Sequence, residues 1–579
     1  MPVMDKDPVV QLERHGDIAV IRIDNPPINA GTTAVRKGLL AAVEEFAADA
    51  SLSGGVLIGA GRWFMAGSDM REINSAVLDP PLPTVIDAIE QCAKPVVAAI
   101  AGAALGGGYE LALGCDARLA SPEAVVGLPE CMLGMMPGAG GTQRLPRLAG
   151  LPVSIGLICT GARVPAADAV RIGMIDRLVE GDLLEAAVNH VRGLGGRKRR
   201  AMDLPVPAFA PADLAKAKAD ALAAAGDRPH IRHAIEAIET CLTLPGDEAL
   251  RREREVFNRL RTSREAAALL HLFFARRSAA KVPALKGGEA RRATSAMIVG
   301  AGPVGGQLAD ALREAGFPVT HVGGAGPAAT AGMAQADIVF VAPSADDPVP
   351  RDLLAALVAY AKPDAVVAVC NWQSAIAADG VARLHLTAAG EKLAIAEMTI
   401  SPEGDAVAEA TILALLKTLD IVTVAVGATE VPVGTRLMDA SWLACMRLEE
   451  SGLAAEEALV SFGLPLCPLS GPEAQRGEAS REVGCLTRGE LISFCLSAMA
   501  NEAASLLADG VVSDPAHLDL LLVEGYGFPR HEGGIIFWAR QQPRSAFDAA
   551  MGRLREWRGN DFRAAPYALL LEPGAGMQA

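Results

Sequence analysis

Short apolar runs alternate with amphipathic stretches over the first 190 residues of the chain. Each run is soon followed by glycine or asparagine, as buried strands often are where the chain turns. The pattern predicts strands over residues 18–23, 54–58 and 95–101, a helix over residues 36–49 and another helix from about residue 109. Strands that alternate with helices in this way indicate an α/β arrangement.

The pattern changes after residue 205. Residues 205–281 show the longer period of helices, and residues 251–277 contain neither glycine nor proline. A second α/β segment begins at about residue 296, and from about residue 426 the chain is mostly helical. We therefore expect a multidomain α/β protein with a helical connector and a helical C-terminal part.

Composition and charge exclude several classes of protein. A chain of 579 residues is too long for one core, and 51% hydrophobic with 21% charged residues is ordinary for a globular protein. The net charge of −15 argues against nucleic acid as a partner, so the basic run at residues 197–200 is interpreted as a solvated face of the connector. Ten cysteines without a C-x-x-C pair argue against a structural metal or a disulfide framework.

Two segments of the sequence bear on the location of the protein in the cell. The N-terminal residues lack the basic start and apolar core of a signal peptide. The apolar stretch at residues 96–108 is too short and too rich in glycine to span a bilayer. We therefore expect a cytoplasmic protein that does not insert into a membrane, either a monomer or a homo-oligomer.

One carboxylate, Glu110, interrupts the otherwise apolar stretch GAALGGGYELALG. A buried carboxylate must find a partner or shift its pKa. Glycines between a strand and a helix let a ligand approach the backbone amides at the helix N-terminus. A second acid, Glu130, follows in GLPECMLG, and an upstream turn in GRWFMAGSDM places Ser68 after a glycine. On its own, Glu110 could equally be an ordinary first-turn residue that the helix dipole favours.

Together these three stretches resemble the crotonase, or enoyl-CoA hydratase/isomerase, superfamily. The resemblance implies that the backbone amides of Ser68 and Gly107 form an oxyanion hole for the oxygen of a coenzyme A thioester. It also implies that Glu110 and Glu130 are the catalytic acids and that the partner is an acyl-CoA substrate. Asp69 and Asp116 are interpreted as structural residues.

The rest of the chain resembles multifunctional enzyme type 1, in which a crotonase domain is fused to a 3-hydroxyacyl-CoA dehydrogenase of fatty-acid β-oxidation. The stretches that carry this resemblance are HAIEAIETCLTLPGDEALRREREVF in the connector and NEAASLLADGVVS and GYGFPRHEGG near the end. It implies five parts: a crotonase (ββα-type) domain, a helical linker, a Rossmann-type dinucleotide-binding domain, a shortened helical dehydrogenase domain and a second helical domain. Their expected bounds are residues 1–190, 191–292, 293–425, 426–480 and 481–579.

The segment IVGAGPVGGQLADALREAG contains a dinucleotide fingerprint, G-x-G-x-x-G, formed by Gly300, Gly302 and Gly305. It follows a predicted strand and opens a predicted helix, which is the context that the motif requires. NAD is therefore a candidate cofactor. However, the next strand should end in an acid that binds the adenine ribose, and Gly323 occupies that place.

The family's catalytic histidine and its partner glutamate correspond to His385 and Glu397, which keep the family's spacing of twelve residues. Three neighbouring family positions depart from the pattern: the serine is Gln373, the asparagine is Thr435 and the glutamate is Ala345. The dehydrogenase half is therefore expected to be weak or inactive, and His385 is equally well interpreted as an ordinary histidine on a retained scaffold.

Three functions remain open from the sequence. The preferred one is a 2-enoyl-CoA hydratase, whose pocket could also move a 3-enoyl double bond to the 2-position, with Glu130 as the proton shuttle. The alternatives are a fully bifunctional hydratase and NAD-dependent dehydrogenase, and a hydratase whose C-terminal half is a non-catalytic interaction module. No metal is expected in any of them.

Overall fold

The computed structural model describes residues 8–73, 79–225, 228–281, 288–324, 332–333, 335–343, 359–362, 364–371, 381–390, 392–400, 404–465, 486–559 and 562–571. The chain divides into two compact units, Met1–Leu270 and His271–Ala579. The five-part division expected from the sequence is finer than this and stays a prediction.

The first unit contains a six-stranded sheet with the order β1-β2-β3-β4-β6-β9 and a three-stranded sheet with the order β5-β7-β8. Their strands are β1 (Val10–His15), β2 (Ile18–Ile23), β3 (Gly54–Gly59), β4 (Val96–Ile100), β5 (Ala103–Leu105), β6 (Ala117–Ala120), β7 (Val125–Gly127), β8 (Val164–Pro165) and β9 (Arg177–Leu178). In the larger sheet, β1 is antiparallel to β2 and the other pairs are parallel. Every residue of β3 and β4 is buried, which is why these strands have continuous apolar sequences.

Helices cover both faces of this sheet and continue into the connector. They are α1 (Thr33–Ala48), α2 (Leu82–Gln91), α3 (Gly107–Leu113), α4 (Gly141–Ala149), α5 (Leu151–Thr160), α6 (Ala166–Arg171), α7 (Leu183–Leu194), α8 (Pro211–Ala225), α9 (Pro229–Glu239), α10 (Gly246–Arg261) and α11 (Arg264–Ala279). Short 3₁₀ helices lie at Pro129–Leu133, Ala201–Asp203 and Thr240–Leu242. The main core includes apolar residues of α8 and α9, so these connector helices belong to the first unit.

The second unit is built on a seven-stranded sheet with the order β11-β10-β12-β13-β14-β15-β16. Its strands are β10 (Ala296–Val299), β11 (Val319–Val322), β12 (Ile338–Val341), β13 (Val366–Cys370), β14 (Val381–Ala389), β15 (Lys392–Thr399) and β16 (Val422–Val426). β14 and β15 are antiparallel, whereas the other neighbours are parallel. This is a doubly wound arrangement of the dinucleotide-binding type.

The helices of the second unit are concentrated in its C-terminal part, as the sequence predicts. They are α12 (Pro303–Glu314), α13 (Ala406–Thr418), α14 (Val433–Glu450), α15 (Ala455–Phe462), α16 (Arg488–Ala508), α17 (Pro515–Gly525), α18 (Ile535–Arg540), α19 (Arg544–Arg558) and α20 (Ala568–Leu571), with a 3₁₀ helix at Arg530–Glu532. α16 is long and apolar enough to cross a membrane, but 67% of its most apolar window is buried inside the fold, as in a core helix. The absence of membrane insertion remains a prediction.

The structure shows two features of the connector that the sequence pattern does not indicate. Residues 251–277 lie in two helices, because α10 ends at Arg261 and α11 begins at Arg264. The Ser263 side chain accepts a hydrogen bond from the Ala266 N–H and so caps the start of α11. The basic run is also not simply solvated. Its Lys198 Nζ donates to the buried Asp116 carboxylate at 2.8 Å, so one basic residue ties the connector to the sheet. This contact supports the structural role that the sequence assigns to Asp116.

Candidate active site

Glu110 lies in α3, directly after the glycine turn, and only 3% of its surface is exposed. Its Oε1 accepts the N–H of Ala139 at 2.7 Å and the N–H of Gly141 at 2.9 Å. Burial raises the pKa of Glu110, while the two amides favour the ionised form and oppose this rise. Oε2 accepts no hydrogen bond from the described residues, so it is available to a small molecule.

Glu130 lies in the 3₁₀ helix Pro129–Leu133, against the glycine turn that precedes Glu110. A Cβ added at Gly106 would lie 3.0 Å from Glu130 Oε1, and Gly106 itself has φ +52°. Within the described residues, the buried Oε2 of Glu130 has no hydrogen-bond partner. Burial and the charge of Glu110 raise the pKa of Glu130 well above the usual range. The structure therefore brings the two sequence-predicted acids together.

The two turns predicted to supply an oxyanion hole are also adjacent. A Cβ added at Gly107 would lie 2.5 Å from Ser68 Oγ, and one at Gly108 would lie 2.0 Å from the Met65 carbonyl oxygen. The glycine triplet is thus required because the two backbone segments approach too closely for side chains. Among the described residues, the N–H groups of Ser68 and Gly107 donate to no acceptor, so both remain free for a ligand oxygen.

Sequence reasoning missed two connector residues that contact this site. Glu253 of α10 is 1% exposed and accepts the N–H groups of Gly140 and Thr142 at 2.5 and 3.0 Å. Burial and the charge of Glu110 raise the pKa of Glu253 to about 8. His230 of α9 is fully buried, and its Nε2 lies 2.8 Å from the carbonyl oxygen of Cys131, the residue after Glu130. His230 lies outside every stretch singled out in the sequence. Glu253 lies within the connector stretch that carries the family resemblance, but nothing there marked it as a site residue.

The dinucleotide fingerprint lies at the expected place, between β10 and α12 of the second unit. Gly300 has φ +133°, and a Cβ there would lie 2.0 Å from the Ala342 carbonyl oxygen. Gly302 is the N-cap of α12, and Gly305 packs against Ala342. The first helical residue, Pro303, has no N–H, which removes one of the amides that a helix N-terminus offers to a phosphate.

Gly323 follows β11 directly and lies beside the fingerprint, as the sequence predicts. A Cβ at Gly323 would lie 3.9 Å from Ala301 Cβ, in ordinary contact with the loop. No carboxylate occupies this position. Instead, His321 on β11 places Nε2 2.8 Å from the Gly300 carbonyl oxygen.

His385 and Glu397 are directly opposite each other on the antiparallel strands β14 and β15, but no hydrogen bond joins their side chains in the described structure. Glu397 accepts the N–H groups of Val433 and Gly434 at 2.6 and 3.0 Å, at the start of α14, and the Tyr526 hydroxyl at 3.1 Å. His385 Nδ1 is buried without a partner among the described residues, and burial lowers the pKa of His385 to about 4. The carboxylate therefore caps a helix rather than orienting the histidine.

Of the three positions that depart from the family pattern, only Thr435 lies among the described residues. Thr435, at the family's asparagine position, lies in the first turn of α14 with Oγ1 3.3 Å from the Tyr526 hydroxyl. Gln373 and Ala345 lie outside the described residues. Tyr526 was not identified as a site residue from the sequence.

Comparison with known proteins agrees with the geometry of the first unit. Residues 13–204 match the enoyl-CoA hydratase/isomerase family. The peroxisomal bifunctional enzyme of Danio rerio is 28% identical over 90% of this chain and 91% of its own length. A peroxisomal fatty acid β-oxidation multifunctional protein of Arabidopsis thaliana is 34% identical over 53% of this chain and 45% of its own.

Solved structures align with nearly half of the chain. An enoyl-CoA hydratase subunit from Geobacillus kaustophilus is 31% identical, with a TM-score of 0.30, over 46% of this chain and 94% of its own. A monofunctional enoyl-CoA isomerase from M. smegmatis is 27% identical, with a TM-score of 0.30, over 42% of this chain and 98% of its own. From the sequence match and the site, residues 13–204 are an enoyl-CoA hydratase/isomerase domain, carried by a chain that is similar to bifunctional enzymes along nine tenths of its length.

Proposed function

We propose that the first unit adds water to 2-enoyl-CoA thioesters. The observation that carries this proposal is the meeting of two buried glutamates with two unused backbone amides at one glycine turn. Buried acids with raised pKa values suit proton transfer near neutral pH, and fixed amides suit an oxyanion in a dry pocket.

The environments of the two acids suggest their roles. Glu110 accepts two amide hydrogen bonds on Oε1, which favour its ionised form, so its free Oε2 can hold and deprotonate water. The resulting hydroxide adds to C3 of the substrate, and the electron pair of the double bond moves to the thioester oxygen. The amides of Ser68 and Gly107 stabilise this enolate. Glu130, whose raised pKa favours its protonated form, then delivers a proton to C2.

The same pair of acids suits isomerisation of a 3-enoyl thioester. This reaction removes a proton from C2 and returns one to C4, with no water added. We propose that the ionised form of Glu130 takes the proton from C2 and returns it to C4, because its Oε2 is buried and has no competing partner among the described residues.

A panel of 2-enoyl-CoA and 3-enoyl-CoA substrates of different chain length tests both activities. The loss of absorbance of the conjugated double bond measures hydration of a 2-enoyl-CoA. The gain of that absorbance from a 3-enoyl-CoA measures isomerisation. Turnover of at least one 2-enoyl-CoA at about 1 s⁻¹ or faster is expected. Failure of the purified full-length chain to hydrate any member of the panel would overturn the proposal.

We propose further that the second unit is a weak or inactive dehydrogenase. Its fingerprint fits the diphosphate of NAD, but the position of the ribose acid holds Gly323, which has no side chain to contact the ribose hydroxyls. Loss of such a charge-assisted pair removes about 1.5–3 kcal/mol of binding free energy, or about ten- to a hundredfold in affinity.

The proton acceptor of that reaction is weakened as well. NAD, when bound, would take the hydride from the 3-hydroxyacyl substrate. His385 would have to take the hydroxyl proton, and Glu397 supports α14 and Tyr526 instead of this histidine. A histidine without its orienting carboxylate is a poorer and less well placed base.

Equilibrium NADH binding separates the alternatives for the second unit. Binding without turnover of 3-hydroxyacyl-CoA supports a weakened dehydrogenase, whereas no binding supports a non-catalytic module. Steady NADH formation at about 1 s⁻¹ with NAD and 3-hydroxyacyl-CoA would establish the fully bifunctional enzyme instead.

The names of the relatives suggest the wider setting. We propose that the substrates are acyl-CoA intermediates of fatty-acid β-oxidation, the process that the name of the Arabidopsis protein gives for that protein. A cytoplasmic location remains a proposal from the sequence alone, and those relatives are named as peroxisomal. Cell fractionation with an antibody to the full-length chain decides between the two compartments.

A further inference from the structure

Four consecutive backbone amides, those of residues 139–142, are shared between two buried glutamates. Glu110 accepts the first and third N–H groups at 2.7 and 2.9 Å. Glu253 accepts the second and fourth at 2.5 and 3.0 Å, and the hydroxyl of the fourth residue, Thr142, also donates to it. Because the donors alternate along the loop, neither carboxylate can move without displacing the amides that the other accepts.

The loop needs a glycine for its shape and an acceptor from elsewhere in the chain for its amides. Gly140 has φ +100°, and a Cβ there would lie within 1.6 Å of the buried Arg144 guanidinium. No side chain of the loop caps the N-terminus of α4, where unpaired amides require an acceptor. Glu253 supplies that acceptor from α10, 111 residues along the chain from Thr142.

We propose that Glu253 is a positioning residue of the hydratase site, which holds the loop 139–142 so that its other two amides fix the Glu110 carboxylate. This inference rests on the proposed hydratase function. Glu253 lies outside residues 13–204, so the working site extends into the connector.

The charge of Glu253 also affects the pKa of Glu130. The charged groups that act on Glu253 are Glu110, Glu130 and Arg144, together with its neighbour Arg254. Arg144 is itself paired with Glu90, through two hydrogen bonds of 2.8 Å. Once the pH exceeds about 8 and Glu253 is ionised, its negative charge adds to burial and to the charge of Glu110 in raising the pKa of Glu130. Removal of that charge should therefore let Glu130 lose its proton at lower pH.

The test compares Glu253→Gln with Glu255→Gln in the full-length chain. Glu255 lies on the same helix, is exposed and, among the described residues, pairs with Arg252 at 3.5 Å, so its variant makes the same chemical change without touching the loop. The glutamine at 253 keeps one acceptor oxygen but turns an amide group toward a backbone donor. We expect kcat for hydration to fall about 10- to 100-fold, with little change in KM, as for a misplaced catalytic group.

Two further readouts separate positioning from simple loss of stability. The alkaline limb of the kcat/KM profile should move to lower pH in Glu253→Gln but not in Glu255→Gln. Glu253→Asp, which keeps both oxygens, should recover part of the lost kcat. A Glu253→Gln variant with the kcat and pH profile of the control would overturn the proposal.

Hydrogen exchange of the peptide that contains residues 139–142 tests the geometry independently of activity. Exchange should accelerate in Glu253→Gln and stay unchanged in Glu255→Gln. If the wild-type chain does not hydrate enoyl-CoA, the proposed function fails while exchange still tests the role in the loop. Unchanged exchange in an active enzyme overturns this inference alone.

If Glu253→Gln does not fold, Thr142→Val replaces it, because this change removes the hydroxyl that donates to Glu253. The hydrogen bond that this hydroxyl accepts from Gln143 Nε2 is lost as well, but Gln143 Nε2 keeps the Ala237 carbonyl oxygen as an acceptor. It should lower kcat a few-fold and accelerate exchange of the same peptide. Wild-type kcat and wild-type exchange in Thr142→Val would overturn the proposal.

Discussion

Replacement of Glu110 by glutamine separates catalysis from folding at this site. The glutamine carbonyl oxygen can still accept the two amides that now donate to Glu110 Oε1, so the loop should keep its place. What disappears is the basic oxygen that deprotonates water. We expect kcat to fall by at least about 10²-fold, which corresponds to about 2.7 kcal/mol of transition-state stabilisation, with a modest change in KM.

The stability of this variant should change in the opposite sense from its activity. Burial raises the pKa of Glu110 above its unfolded value, so the folded state loses stability as the pH rises above that unfolded value. A neutral glutamine avoids this penalty. At neutral pH the midpoint of thermal unfolding should therefore be equal to or higher than that of the wild type.

The assay is the loss of absorbance of a 2-enoyl-CoA at saturating concentration, alongside thermal unfolding of the same preparation. Glu44→Gln, at an exposed position on α1, is the control for the chemical change. Near wild-type turnover in Glu110→Gln would refute the assignment of the base. A strongly lowered unfolding midpoint would refute the argument about its burial.

Three further outcomes follow from the geometry. Ser68→Ala should leave hydration nearly unchanged, whereas Ser68→Pro, which removes the N–H donor, should lower kcat by about 10²-fold; a large loss in the alanine variant would show that the hydroxyl takes part. Because the pKa of Glu130 is raised, kcat/KM should hold to higher pH than an ordinary carboxylic acid allows and then fall as this acid ionises, and this limb should vanish in Glu130→Gln. Lys198→Met leaves the buried Asp116 without its cation, so this change should lower the free energy of unfolding by about 1–3 kcal/mol. The first thermal unfolding midpoint should fall while hydratase kcat is retained, and an unchanged midpoint would contradict the contact.

The sequence predicted the parts of the site that local patterns encode. Glu110 and Glu130 each stand in a stretch where glycine, apolar residues and a single acid follow one another closely. Such stretches are distinctive because a close approach of backbones permits few residue types. The strands at residues 18–23 and 54–58 were predicted for a similar reason, since strands buried on both faces need continuous apolar runs.

Long-range contacts explain what the sequence could not predict. Glu253 lies in a helix with many charged residues, and nothing local distinguishes it from the exposed Glu255 two positions later. Only the packing of α10 against α4 shows that one is buried and the other is not. The hydrogen bonds of Glu397 to α14 are also long-range contacts. Its spacing from His385 does not show which donors the carboxylate accepts in the fold.

The origin of Glu253 in α10 also has a consequence for synthesis of the chain. About 50 residues separate the end of the hydratase/isomerase match at residue 204 from this glutamate. At roughly 5–20 residues per second, the ribosome adds them in about 2–10 s. During that interval the sheet, the glycine turn and both buried acids of the site have been made, yet the second and fourth amides of the loop have no acceptor. The nascent hydratase therefore gains its final catalytic geometry only when the connector has emerged, and a chain that terminates at residue 204 would never gain it.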